Sequence, residues 1–103
     1  MDRLPFAKPE RVVDRKLLRL YCTLHWACEV QGCKRRPCPE PHHLRSRKMG
    51  RDDRHENLLR LCRPHHIEWH TLGGRAWFLK YHDVLDTEAI EKIARVFRLE
   101  VAA

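Results

Sequence analysis

Apolar positions recur at helical spacing at both ends of the chain and lose that rhythm in the middle. From Glu10 to Tyr21 the sequence ERVVDRKLLRLY sets Val13, Leu17, Leu20 and Tyr21 on one side and Arg11, Arg15, Lys16 and Arg19 elsewhere. This predicts a short amphipathic helix that packs on the domain and leaves a basic face in solvent. Residues 1–10 hold Pro5 and Pro9 and no periodicity, which predicts an extended arm carrying Arg3 and Lys8. Beyond Gly73 and Gly74, the run Ala76, Trp77, Phe78, Leu79 predicts a helix. Ile90, Ile93, Ala94 and Phe97 form the stripe of a last one, with Asp86 or Thr87 placed to cap it.

The middle stretch, PHHLRSRKMGRDDRHENLLRLCRPHHIEWH from Pro41 to His70, carries the candidate chemistry. Pro64 suits a first helical turn and the glycine pair a stop, so Cys62–His70 reads as a turn running into a helix. On it His66 and His70 share a face. His65 is turned away from them by about 100°, the step of a 3.6-residue helix. It pairs more naturally with Cys62, a Cys-x2-His half of a zinc knuckle, and Cys28-x4-Cys33 supplies the other half. Cys38 is the rival, since Cys33-x4-Cys38 repeats the spacing. If His42 and His43 open a strand, their side chains diverge, so one imidazole can bind a metal while the other faces water and substrate. The expectation is therefore two metal sites: one zinc that holds the fold, and one metal that serves phosphodiester chemistry.

Around these ligands, Trp26 and Val30 are expected as core near the zinc, and Cys22, His25, His55 and His82 are left without a role. The Leu44–Asp53 segment is too polar for a core strand and reads as a loop. Its Arg45, Arg47, Lys48 and Arg51 either neutralise flanking phosphates or form a solvated surface.

Composition narrows the partner. The chain has 103 residues, a net charge of +7 and a pI of about 9.5. The length fits one domain, 1–103, in which a structural metal would help a small core. The cationic excess favours a polyanion, most simply nucleic acid, over mere solubility. Five cysteines is an odd count, and beside eight histidines they read as reduced ligands in a cytoplasmic protein rather than as disulfides. No apolar run approaches a membrane span and no secretory signal opens the chain.

The combined pattern Cys-x4-Cys, His-His, Asn, Leu-Cys-x2-His-His-x3-His resembles the HNH endonucleases, the ββα-metal family. It looks most like the short versions carried by bacteriophages and prophages, some of them recombination-associated. The resemblance covers roughly residues 26–72 and extends weakly to 9–20 and 74–83. It implies an α+β fold: a zinc-stabilised ββα-metal, treble-clef-like core at 26–72, with an arm and helix at 1–21 and helices at 74–99. Because the family places its knuckle before a short loop to the His pair, it favours Cys28, Cys33, Cys62 and His65 as zinc ligands. It implies a metal-dependent endonuclease acting on DNA and leaving 5′ phosphates. His43 would be the general base, and His42, His66 and His70 would hold Mg, Mn, Ni, Co or Zn. Asn57 would orient the loop, and Asp53 would support an imidazole or remain an exposed turn carboxylate. DNA is the implied partner, along with a recombination or phage DNA-processing protein in the host cytoplasm. The competing expectation is a zinc-stabilised nucleic-acid-binding module without chemistry.

Overall fold

Four helices and one two-stranded antiparallel sheet make an α+β fold in the computed structural model, which describes residues 12–45 and 51–99. Helix α1 (Arg15–Leu24) begins where Asp14 accepts hydrogen bonds from the backbone of Lys16 at 2.9 Å and Leu17 at 3.3 Å. It therefore starts later than the pattern suggested and runs three residues past Tyr21. Residues 10 and 11 and the expected arm lie outside the described residues.

The inward face of α1 also differs from the expected stripe. Tyr21 is fully buried, with Leu17 and Leu18 partly so, but Leu20 is 49% and Val13 59% exposed. Val13 precedes the cap and is not helical. Leu20 lies one helical step from Tyr21, which rotates it to the rim. Trp26, expected in the core, is 78% exposed. The helix closes at His25, whose ring stacks on Tyr21 at 4.1 Å, and the chain then turns so that Trp26 faces outward. Val30 is buried as expected.

Strand β1 (His42–His43) pairs antiparallel with β2 (Leu58–Leu59), His42 opposite Leu59 and His43 opposite Leu58. A 3-10 turn over His55–Asn57 leads into β2. Leu58, Leu59 and Leu61 are essentially inaccessible, and Leu59 and Leu61 join Trp69, Trp77, Ala89 and Ile93 in the core. Helix α2 (Arg63–Leu72) carries Pro64 in its first turn and ends at Gly73, whose φ of 87° is open to glycine at little cost. Helix α3 (Gly74–Tyr81) follows at once. A Cβ on Gly74 would lie 2.1 Å from the Phe97 ring and 2.8 Å from Trp69, so only glycine lets these rings close over the junction. Helix α4 (Thr87–Phe97) is capped by Asp86, whose carboxylate accepts from Ala89 N at 2.8 Å.

One buried polar chain crosses this fold. Lys92 on α4 donates from Nζ to the Tyr21 hydroxyl and to the Leu58 carbonyl, both at 2.7 Å. Tyr21 in turn donates to Glu29 Oε2 at 2.5 Å, and Glu29 accepts the Arg60 amide at 2.6 Å. Within this chain of groups Lys92, Tyr21 and the Arg60 amide each find an acceptor, which offsets the cost of removing the charge from water. Burial beside Glu29 holds the Tyr21 hydroxyl protonated.

Candidate metal centres

The knuckle forms from a local turn and a long-range closure. Cys33 N donates to Val30 O at 3.0 Å, with Gly32 at φ 84° in the third position that a type II turn reserves for glycine. This sets Cys28 and Cys33 against Cys62, the residue before α2, and His65 in its first turn. Their four ligand atoms lie within 4.8 Å of one another. The edges of the group are Cys33 Sγ to Cys62 Sγ at 3.8 Å, Cys62 Sγ to His65 Nδ1 at 3.1 Å and Cys28 Sγ to His65 Nδ1 at 3.4 Å. A tetrahedral zinc bonded at about 2.3 Å to sulfur and 2.0–2.1 Å to nitrogen spaces its ligands by roughly 3.6–3.8 Å. The group can bind a metal, and its donor set suits structural zinc.

Its electrostatics also favour a cation. Burial pushes the Cys28 thiol up to about 12, against hydrogen bonds from the backbone of Cys62 and Val30. Desolvation also raises Cys33, but the Arg35 backbone and the neighbouring thiols outweigh it and the net shift is downward. Amide groups directed at sulfur stabilise thiolate, and the remaining cost of clustered thiolates is what a divalent ion relieves. Cys38 stands outside the group: its amide donates to Leu61 O at 2.9 Å, and Pro37 bridges to Cys62. Cys38→Ser is therefore expected to retain full zinc content and an unchanged circular dichroism spectrum; loss of zinc would transfer a ligand role to Cys38.

The second group lies on the other face of α2. His66 and His70 sit one turn apart with ring centroids 4.7 Å apart, and His42 from β1 completes a triad within 4.8 Å. His42 Nδ1 and His66 Nδ1 approach to 3.0 Å, roughly the separation of two nitrogen ligands about 2.1 Å from one ion at right angles. His42 is 2% exposed and packs edge-on against Trp69, with its Nε2 buried and unpartnered. Burial, then the neighbouring imidazoles, push its pKa down to about 3. His66 is lowered for the same reasons, with Arg63 adding to the effect. Neutral imidazoles with free lone pairs are the form that binds metal.

The strand alternation turns His43 the other way. Its Nε2 donates to Asp53 Oδ1 at 2.8 Å, which turns Nδ1 away from the carboxylate. Asp53 is fully buried, not an exposed turn residue: it also accepts from Arg51 Nε at 3.0 Å and from Asp14 N at 2.7 Å. Burial opposes its charge, but Arg51 and His43 hold the carboxyl below the usual range. Asn57 accepts the Arg45 amide at 2.9 Å and donates to Asp52 O at 2.8 Å, so one amide ties both ends of the intervening loop.

The basic loop is partly committed elsewhere. Arg45 Nη2 bonds Asp52 at 2.8 Å and Arg51 bonds Asp53, while Arg47 and Lys48 lie outside the described residues. Asp52 belongs to no motif of the sequence. It is 5% exposed, paired with Arg45 and Arg54, and the Arg-Asp-Asp-Arg block was its only local signal. No helix among the described residues is long and apolar enough to cross a membrane. No family model, curated protein or solved structure matches the chain.

Proposed function

We propose that this chain is a metal-dependent endonuclease of the HNH type that hydrolyses DNA and leaves 5′-phosphate ends. One observation carries the reading. His43 shares a two-residue strand with a member of the His triad, lines the same cleft, and is oriented by a buried carboxylate. A zinc-binding fold has no need of that pair, whereas hydrolysis needs a positioned base beside a metal site.

The residues divide the work as follows. His42, His66 and His70 would hold a divalent ion, which would supply Lewis acidity to the phosphodiester under attack. Three imidazoles form a softer donor set than carboxylates, which favours Mn, Ni, Co or Zn over Mg. His43 accepts a proton from the attacking water at Nδ1. Asp53 fixes the tautomer and balances the imidazolium charge that results. Asn57 keeps the loop in register with the strand pair. Cys28, Cys33, Cys62 and His65 would hold the structural zinc.

Incubating the protein with supercoiled plasmid and Mg or Mn should yield nicked and then linear product, and EDTA should suppress it. The ends should be ligatable without phosphorylation. If no divalent ion supports cutting while DNA is still bound, the protein is a zinc-stabilised binding module.

A further inference from the structure

A cleft of about 1240 Å³ opens from the His triad and runs over the α2–α3 junction to the end of α4. Its charged lining is four arginines and one acid, Glu40, so the balance is cationic. Arg45 is engaged by Asp52, which leaves Arg63, Arg75 and Arg98 from three different helices or helix ends. All three are exposed. Arg75 spends one N–H on the Phe97 carbonyl at 3.3 Å, and a guanidinium has five. Between these cations the lining is apolar. Trp69 and Phe97 stand 5.9 Å apart, and Phe97, partly buried, is seated there because position 74 has no side chain.

We infer that this cleft binds an unpaired DNA strand, with Arg63, Arg75 and Arg98 on its phosphates and the Phe97 ring under one of its bases. The inference rests on the reading of the His triad as the reactive centre, past which the strand would run. Cations alone would suit any nucleic acid, because phosphates occur in duplex and single strand alike. The aromatic floor makes the distinction. In a duplex both faces of a base are covered by its neighbours, so an aromatic ring gains contact only with a base that has left the stack. Base–aromatic stacking is also tolerant of sequence.

The test uses the full-length, zinc-loaded chain carrying His43→Ala, so that the probe is not cut. Fluorescence anisotropy compares a labelled single-stranded DNA oligonucleotide with a hairpin duplex of the same sequence. The single strand should bind more tightly. Arg75→Gln combined with Arg98→Asn should weaken it and flatten the log K against log salt slope by roughly 1.4, at about 0.7 per phosphate on a single strand. Asparagine tolerates the left-handed backbone at position 98, where φ is 54°. Phe97→Leu should weaken single-strand binding by about 5–150-fold, the range for losing one stacked base. Circular dichroism and zinc content identify any variant that misfolds, and the double arginine variant carries the test if Phe97→Leu does. Equal binding of duplex and single strand, or single-strand binding untouched by the arginine variant, overturns the proposal. Tighter binding of the matching RNA strand overturns the assignment to DNA. A protein that binds the strand through these residues but cuts nothing refutes the nuclease reading and sustains the cleft. One that nicks plasmid yet binds single strands independently of them refutes the cleft alone.

Discussion

Cys62→Ser will lose its zinc and unfold. Cys62 is fully buried, precedes α2, and places its sulfur 3.8 Å from Cys33 and 3.1 Å from His65. A serine oxygen is a harder, shorter donor and would leave the other three ligands around a poorly held ion. Structural zinc contributes about 10–16 kcal/mol in small finger peptides. A whole domain is stable by only about 5–15 kcal/mol, so losing most of that contribution removes as much as the entire net stability of a domain. The neighbours of Cys62 add to the effect, because Leu59 and Leu61 join the core from the segment that a zinc held by Cys62 would fasten. Far-UV circular dichroism and metal analysis of the purified variant would decide it. A folded Cys62→Ser protein with one equivalent of zinc would remove Cys62 from the site.

The other large effect separates a proton-transfer defect from a metal-occupancy defect. His43→Ala should leave the fold and both metals in place, because His43 bonds Asp53 and belongs to neither ligand group. Its cleavage rate should fall by roughly 10²–10⁴-fold, the usual loss for a positioned general base. His66→Ala should also cut poorly, but through weaker affinity for the catalytic ion. Raising the metal concentration should restore part of its rate and none of the rate of His43→Ala. Metal titrations of cleavage by the two variants, run side by side, give the comparison. Wild-type cutting by His43→Ala at limiting metal would assign the base elsewhere.

Why the two Cys/His groupings were legible and their surroundings were not comes down to range. His65, His66 and His70 lie within two turns of one helix, so spacing alone fixes their angles, and the strand alternation that parts His42 from His43 is equally local. The setting of Asp53 is not local. Its amide donor, Asp14, is 39 residues away, and nothing within the loop announces that N-terminal chain will cover it. Trp26 and Leu20 misled for the converse reason. Both are apolar, but burial depends on where the turn at His25 sends the chain. Lys92 is a polar position on α4 with no local sign of burial, yet it is 5% exposed and meets a tyrosine 71 residues earlier.

That same lysine bears on how the molecule is divided into parts. Residues 26–72 contain every proposed ligand and look like a detachable cassette. Cut at those boundaries, Glu29 would lose its phenol donor and the Leu58 carbonyl its ammonium, in the strand that positions His42 and His43. Trp69 would lose the ring contacts it makes with Trp77 and Phe97 beneath the triad. The helices on either side are thus clasped to each other through the cassette, and grafting the core into another protein would require carrying the clasp with it.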